Sequence, residues 1–471
     1  MRQEMQLLFG GNHRAMAWRP APVNPKTAAA GPRALHWDVA RGFSSNTLRA
    51  LRHRNFQLFF AGQLISLIGT WMQSVAQSWL VYRLTGSATL LGLVSFSSQI
   101  PIFILSPIAG YAADRLNRHR VVIATQSASM VLALMLAALT LTNRVTIPEV
   151  FVLAALLGVV NAFDIPARQS FLVEMVGRTD LMNAIALNSS MFNGARIVGP
   201  AVAGILVAKI GEGWCFFANG ISYVAVIAGL LAMKVAPFRP APALMSAVET
   251  IREGFEYVGR TVPIRAIMAL ISVVAFAGIP YTVLMPIFAD RVLHSGAQGL
   301  GLLMGVTGAG ALGGALMLAT RTQLKGFTIL IPAAAAVFAV SLVGFAASNV
   351  MWLSCVMLFI AGFAVMAQVG ASNTLIQSMV PDRLRGRTMS VYSMMYIGVS
   401  PFGSAASGFA ASAFGVRVTL IAGGAICALA SAAFAIRLKS IRPIARALIR
   451  ERLAADEIPV TEAINAASAV R

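Results

Sequence analysis

Two charged side chains stand inside long apolar stretches of this chain and a third lies at the end of one, and they suggest what chemistry it performs. Asp164 and Arg168 lie four residues apart in FDIPAR, a spacing at which two side chains on one helix face can pair. Of the seventeen acids, Asp164 alone falls within a predicted helix, with Asp114 and Asp290 at helix ends. A carboxyl group takes up or releases a proton when its site dries or a nearby guanidinium leaves. Asp164 is therefore the candidate proton carrier, and a local ion pair with Arg168 is the alternative.

Arg196 is the only basic residue well inside an apolar stretch, about 18 Å beyond the predicted start of its helix. A charged group at such a depth is expected to be functional and to have a partner. Because a guanidinium stays protonated, Arg196 cannot carry a proton. It can attract an anionic cargo or hold a helix dipole.

A stripe of polar side chains runs along the first long apolar segment at spacings of 3, 4, 3 and 4 residues. Its members are Gln63, Ser66, Thr70, Gln73 and Gln77. Polar groups that face lipid are costly, so the stripe faces either protein or a water-filled cavity. Hydrogen bonding between helices and the lining of a cavity both remain open.

The other reactive residue types do not support an enzyme. The three cysteines lie in apolar segments, where packing explains them, and the histidines lie outside the predicted helices or at their ends. No pair has the spacing of metal ligands, and no Ser/His/Asp set can be assembled. The residues concerned are Cys215, Cys355, Cys427, His13, His36, His53, His119 and His294. We expect no enzyme activity, no metal and no cofactor.

The elements that position these residues are membrane helices. The chain has 471 residues, of which 58% are hydrophobic and only 11% charged, against about 25% charged in a soluble domain. Apolar stretches of 18 or more residues indicate transmembrane helices. The sequence predicts twelve, at 56–81, 90–113, 121–142, 148–167, 184–208, 214–233, 266–289, 298–319, 327–347, 350–371, 387–412 and 418–436.

The net charge of +20 is distributed as a topology signal. Alternate loops, beginning with the loop between helices 2 and 3, hold fifteen Lys and Arg, whereas the other loops hold five. The chain is also basic before helix 1 and after helix 12. By the positive-inside rule the basic loops and both termini are cytoplasmic. Nucleic-acid binding would need a contiguous basic patch, so we expect no nucleic-acid partner.

The sequence also repeats at an offset of 204 residues. Gly158, Gly194, Gly199, Gly204 and Gly211 fall on Gly362, Gly398, Gly403, Gly408 and Gly415. Six helices repeated in one orientation form two bundles with a substrate site between them. The predicted domains are a disordered cytoplasmic tail (1–50) without the apolar segment of a signal peptide, an N-terminal bundle (51–236), a linker (237–263) with an amphipathic helix, a C-terminal bundle (264–438) and a cytoplasmic tail (439–471).

Over roughly residues 48–440 this pattern resembles the major facilitator superfamily. GYAADRLNRHR matches its loop signature at Gly110, Asp114, Arg115, Arg118 and Arg120. Asn117 stands where glycine is usual, and we expect it to take a left-handed turn there. The segments RNFQLFFAGQLISLIGTWMQ, NAFDIPARQSF, NGARIVGP and PDRLRGRTMS are most similar to the enterobactin-exporter branch.

The resemblance implies roles for several residues. The loop acid Asp114 would latch the cytoplasmic side by pairing with basic groups and a helix N-terminus of the other bundle. Helices 1, 4, 7 and 10 would line the cavity, which favours a lining role for the polar stripe and adds Tyr281, Gln368 and Ser372 as weaker candidates. Gly194, Gly199, Pro200 and Gly204 resemble part of the helix-5 motif of antiporters.

We therefore expect an all-α membrane protein with twelve transmembrane helices in two six-helix bundles, located in a bacterial inner membrane as a monomer. The expected function is proton-driven export, by alternating access, of a small amphipathic molecule such as a drug or siderophore. Its partners would be that substrate, protons and the lipid bilayer. The alternative is a uniporter or importer of a small metabolite on the same fold. No Gly-x4-Gly-Lys-Ser/Thr motif occurs, so an ATP-driven pump is not expected.

Overall fold

The computed structural model describes residues 48–235, 247–321 and 326–457, and within these ranges the chain is helical and contains no strand. After a 3₁₀ turn at Arg49–Arg52, the N-terminal half contains α1 (Arg54–Thr85), α2 (Ala88–Arg115), α3 (Arg118–Leu141), α4 and α5 (together Ile147–Ile210) and α6 (Glu212–Leu231). The C-terminal half contains α7 (Val262–Val292), α8 (Gly296–Ala319), α9 (Phe327–Ala347), α10 (Met351–Met379), α11 (382–414) and α12 (Val416–Ile436).

Helices α4 and α5 correct the predicted boundaries. The sequence places a loop between residues 167 and 184, but the helix continues through this region and only Gly177 is non-helical, with φ 70° and ψ 177°. The extension forms because Phe171, Leu172 and Met175 are buried against the N-terminal bundle. We divide the 64 residues at Gly177 into α4 (147–176) and α5 (178–210). The prediction that Asp164 is the only acid within a helix is wrong, since the extension also contains Glu174.

Two helices of the C-terminal half are interrupted by π-helical turns. In α7 the turns are Val274–Gly278 and Phe288–Val292, and in α11 the turn is Met394–Gly398. Pro280 has no N–H, and just before it the Ile279 N–H bonds the Val274 carbonyl five residues back. Ten helices of the described residues are long and apolar enough to cross a membrane. The count reaches the expected twelve in two steps. The span 147–210 is divided at Gly177 into two helices, and the consecutive helical segments of 382–414 are joined into one.

The repeat is visible in how the glycines pack. In α4, Gly158 lies against the Ser98 carbonyl of α2, and its counterpart Gly362 of α10 lies against the Thr307 carbonyl of α8. The same equivalence holds between the bundles, where Gly204 of α5 meets Gly301 of α8 and Gly408 of α11 meets Gly92 of α2. Small residues allow helix backbones to approach closely in lipid. Repeat-related glycines therefore form both main seams between the halves.

We call the end of the molecule where α1 begins and α12 ends the terminal face, and the opposite end the distal face. Polar contacts join the two bundles at the distal face. The Tyr82 hydroxyl of α1 donates to Asp290 Oδ2 of α7 at 2.6 Å, and Arg291 donates to the Gly86 carbonyl at 3.1 Å. Thr89 of α2 and Ser412 of α11 share a hydroxyl hydrogen bond of 2.7 Å. The bundles are thus closed on each other at this end.

Two further helices lie at the terminal face. The linker helix (Ala247–Arg260) confirms the predicted amphipathic helix and is tied to α11 by an ion pair between Glu253 and Arg387. A C-terminal helix (Leu438–Glu457) follows α12, and its Arg452 contacts Asp382 at 3.0 Å. Of the predicted N-terminal tail, residues 1–47 lie outside the described part of the chain.

Candidate transport cavity

A cavity of about 500 Å³ lies between the two bundles. Its described lining comes from α1, α2, α4, α5 and α6 of the N-terminal half and from α7 and α8 of the C-terminal half. The volume falls within the range of pockets that hold drug-sized ligands. A single chain therefore provides a chamber between its repeats, where transporters of this architecture bind substrate.

The polar stripe of α1 divides along its length. Thr70, Gln73 and Gln77 line the cavity, and Gln73 is positioned by a 2.6 Å hydrogen bond from Asn219 of α6. Gln63 and Ser66 lie nearer the terminal face, are buried and do not line the cavity. Gln73 fits both alternatives left open by the sequence, since it lines the cavity and accepts a hydrogen bond from another helix, whereas the buried Gln63 Oε1 has no hydrogen-bond partner among the described residues. Contact of the lining residues with substrate stays a prediction.

Arg196 lines the cavity near the middle of α5. Its guanidinium lies over the Trp71 ring of α1, 5.6 Å from the centroid, and Trp71 makes an edge contact with Phe192 one turn earlier on α5. The α5 backbone is held there because the Arg196 carbonyl packs against Gly308 of α8. Arg196 therefore lies at the junction of both bundles.

The helix-5 motif builds this junction. Gly199 lies against the Trp71 side chain and the Ile68 carbonyl of α1, Pro200 lines the cavity, and Gly204 forms the seam with α8. Gly194 has open space where a side chain would project. Three of the four motif residues thus position the wall that carries Arg196.

Several polar lining residues were not singled out from the sequence. They include Ser95, Ser98 and Gln99 of α2 and Asn161 of α4, and the Gln99 amide donates to the Ser95 hydroxyl at 2.9 Å. The sequence contains a pattern that indicates the α2 residues, because polar residues in SFSSQ are three and four positions apart, as they are in the stripe of α1. The expectation that helices 1, 4, 7 and 10 form the lining did not include α2, which contributes to it.

Three predicted cavity residues lie elsewhere. Tyr281 is buried within the C-terminal bundle, with its ring 6.1 Å from that of Phe338. Gln368 and Ser372 of α10 are fully buried, and their side-chain polar atoms have no hydrogen-bond partner among the described residues. None of the three lines the cavity.

Asp164 lies inside the N-terminal bundle between α3 and α4, outside the cavity lining. Its Oδ1 accepts hydrogen bonds from Thr125 Oγ1 and Gln126 Nε2, both at 2.8 Å. Its Oδ2 is 3.2 Å from Arg168 Nε, so the expected local ion pair is present. In this conformation the carboxylate is held by two neutral donors and one cation.

The loop signature lies at the terminal face. Arg118 bonds Glu174 at the end of α4 at 2.8 Å, while Arg115 and Arg120 are exposed. The Asp114 side chain lies outside what the structure describes, and Gly110 has open space beside it. The expected left-handed turn at Asn117 is wrong. Its φ is −64°, and its side chain accepts from the Arg120 N–H as the N-cap of α3, a position that favours asparagine.

Comparison with known proteins gives a consistent picture. A family described as transmembrane secretion effector matches residues 45–468. The staphyloferrin A transporter of Staphylococcus aureus is 26% identical, covering 76% of this chain and 90% of the relative. The multidrug efflux pump Tap of Mycolicibacterium fortuitum is 29% identical, covering 75% and 88%. The enterobactin exporter EntS of Escherichia coli O1:K1 is 22% identical, covering 76% and 85%.

The fold also matches solved structures. A bacterial homologue of the human lysosomal transporter Spinster, in an inward-facing and unoccupied conformation, superimposes with a TM-score of 0.64 at 16% identity. The match covers 85% of this chain and 98% of that chain. At this identity the likeness concerns the fold, and it confirms the expected all-α architecture.

Proposed function

The chain belongs to the transmembrane secretion effector family of the major facilitator superfamily, and from that premise we propose that it is a monomeric, proton-driven exporter of a small amphipathic molecule. The family and the named relatives are transporters, two of them named for export or efflux. The observation that carries the proposal is the cavity between two repeat-related bundles, which contacts such as Tyr82–Asp290 join at the distal face. That arrangement suits alternating access.

Charge and closure together support the side on which the cavity opens in this conformation, which is the side where an exporter takes up its cargo. The basic loops and both termini favour a cytoplasmic terminal face. Closure at the distal face then leaves the cytoplasm as the side from which cargo reaches the cavity. An exporter in the inner membrane must load its cargo from that side.

Alternating access requires a second latch at the terminal face, and we assign this role to the loop signature. Asp114 would hold the terminal face closed in the opposite conformation by pairing with groups of the C-terminal bundle. An acid beside a helix N-terminus gains about 0.3–1 kcal/mol, which biases an equilibrium without locking it.

Proton coupling is assigned to Asp164. Its network with Arg168, Thr125 and Gln126 lies across α3 and α4, so a shift between these helices would loosen the donors together. Loss of the guanidinium would favour uptake of a proton, and its return would favour release. An antiporter requires a group whose protonation changes between two conformations, and we assign that role to Asp164.

The experiment compares a host strain that lacks this gene with strains that carry wild-type or Asp164→Asn protein. We expect a small metabolite to accumulate in the deletion strain and wild-type protein to restore its release. In proteoliposomes the Asp164→Asn protein should lose proton flux driven by that metabolite but keep exchange without a gradient. A deletion strain that instead loses uptake of a nutrient would support the importer, and normal proton flux in the variant would place coupling elsewhere.

A further inference from the structure

The cavity has an unbalanced charge. Among the described residues that line it, Arg196 is the one charged side chain, and no Asp or Glu contributes to the wall. The rest of the lining consists of amides, hydroxyls and apolar groups. A cationic cargo would therefore meet repulsion without compensation, whereas an anionic cargo would meet its only strong electrostatic partner.

The protein itself leaves this charge incompletely satisfied. No carboxylate of the described residues lies within ion-pair distance of Arg196, and its guanidinium makes no hydrogen bond to any of them. Its described partner is the face of Trp71. A charge within a membrane protein ordinarily has a counter-ion or lines a water-filled site. In this conformation Arg196 lines the cavity and has no counter-ion among the described residues.

The contact with Trp71 leaves the hydrogen-bond donors of the guanidinium available. The guanidinium carbon is 5.6 Å from the ring centroid, and the N–H groups, which lie in the plane of the guanidinium, have no hydrogen-bond partner among the described residues. Trp71 is held by Phe192 and by Gly199, which lies under its Cβ. The in-plane donors match two oxygens of one oxyanion, the geometry of a bidentate arginine–carboxylate pair.

We propose that the cargo is an organic anion whose carboxylate, or a comparable oxyanion, binds Arg196, while its apolar part occupies the remainder of the cavity. The inference rests on the proposed function, because it assigns the cargo class of the same chamber. It separates organic anions from cationic amphiphiles, both of which fit the cavity by size. Asn161 and Gln99 provide neutral hydrogen bonds but no charge selection.

The test measures binding without any gradient, so its outcome does not depend on proton coupling or on transport direction. Full-length protein in phosphatidylcholine nanodiscs is titrated with three fluorescent probes that share a dansyl group. Dansylglycine carries one carboxylate, dansylglycinamide is neutral, and dansyl-ethylenediamine carries one ammonium. Empty nanodiscs correct for partition into lipid. We expect wild-type protein to bind dansylglycine at least about tenfold more tightly than the neutral probe and to bind the cationic probe most weakly.

Variants locate the preference. Arg196→Gln should abolish the advantage of the anionic probe, and Arg196→Lys should keep only part of it because lysine cannot bind bidentately. The matched control is Lys209→Gln, which removes one positive charge from the exposed distal end of the same helix and should keep the full preference. The inference is overturned if wild-type protein shows no preference for dansylglycine, whether all three probes bind or none does. It is equally overturned if Arg196→Gln keeps the preference. Either result can occur while the protein still exports its cargo from cells, so failure of this inference is distinguishable from failure of the proposed function.

Discussion

The two halves of the molecule share their packing and differ in their chemistry. At the repeat offset, Asp164 and Arg168 of α4 correspond to Gln368 and Ser372 of α10, and Arg196 of α5 corresponds to Ser400 of α11. The first pair is a hydrogen-bonded ion pair. Its counterpart is neutral, fully buried and without hydrogen-bond partners in the described structure. The glycine contacts between helices are thus alike in the two halves, whereas these charges occur only in the N-terminal half.

The cavity wall shows the same asymmetry. The N-terminal half supplies Arg196 and all the lining amides, whereas the C-terminal half supplies four apolar residues and two threonines. The C-terminal half instead contributes Asp290 and Arg291 to the distal closure. Under our proposals, recognition and coupling would both belong to the N-terminal half, while the C-terminal half would contribute to the distal closure and provide an uncharged wall.

The largest effect should come from breaking the charged pair of the N-terminal half. Arg168→Ala leaves the buried Asp164 carboxylate without its cation, and removing one partner of a buried pair costs about 3–5 kcal/mol. Ser372→Ala, at the equivalent position, removes a hydroxyl that has no partner and should change stability by less than about 1 kcal/mol. Thermal unfolding of the purified variants in detergent provides the comparison.

A double variant serves as the matched control for this prediction. Asp164→Gln with Arg168→Ser gives α4 the neutral pair of α10, and it should unfold at a higher temperature than Arg168→Ala because no buried charge is left alone. If the single and double variants lose equal stability, lost packing rather than charge explains the cost, and the difference between the halves has little energetic weight at this site.

The seams should respond equally in the two halves. A Cβ on Gly204 would lie 2.9 Å from the Gly301 Cα, and one on Gly408 would lie 3.0 Å from the Gly92 Cα. Overpacking of this kind costs about 1–3 kcal/mol. Gly204→Ala and Gly408→Ala should therefore both move the population away from the distal-closed state. Distances between spin labels at the distal ends of α1 and α7 would report the shift.

The control for the seams is Gly194→Ala, which is on the same helix as Gly204 and has open space around the added methyl group. It should leave the spin-label distances unchanged. A response at only one of the two seam positions would show that the repeat symmetry of the packing does not extend to the energetics.

The fold was predictable from the sequence because long apolar runs and a fixed glycine offset are direct consequences of membrane thickness and helix packing. The end of α4 was not, because its last turns continue past the apolar run as an amphipathic helix that packs through Phe171 and Met175. Polar residues there resemble a loop in a hydropathy pattern. Only the stop at Gly177, with its positive φ, marks the true boundary.

The site was predictable in part. Spacing identified the correct face of α1, but it could not tell how far along the helix the cavity extends, so it grouped Gln63 with Gln73. Depth depends on where the two bundles separate, which is a property of tertiary packing. The same limit explains Gln368, whose sequence context resembles that of a lining residue although neighbouring helices enclose it completely.

The smallest expected effects concern the two closures. Tyr82→Phe removes the hydroxyl that donates to Asp290 and keeps the ring on which Arg291 lies, 5.9 Å from its centroid. Loss of this hydrogen bond, worth about 1–2 kcal/mol, should favour distal opening by a factor of about 5–30.

Asp114→Asn should favour terminal opening by a smaller factor, since the interaction of an acid with a helix N-terminus contributes about 0.3–1 kcal/mol. Cysteine labelling at each face would measure the two shifts.

Tyr82→Phe and Asp114→Asn should shift the conformational equilibrium in opposite directions, which makes the pair of variants informative. The double variant should restore labelling toward the wild-type balance, because one change weakens each closed state. Arg83→Gln is the control, since Arg83 lies at the distal face but pairs with Glu212 of its own bundle at 2.7 Å and bridges no seam. It should leave labelling at both faces unchanged. If Asp114→Asn changes neither labelling nor transport, the loop acid serves membrane topology alone, and closure of the terminal face depends on other residues.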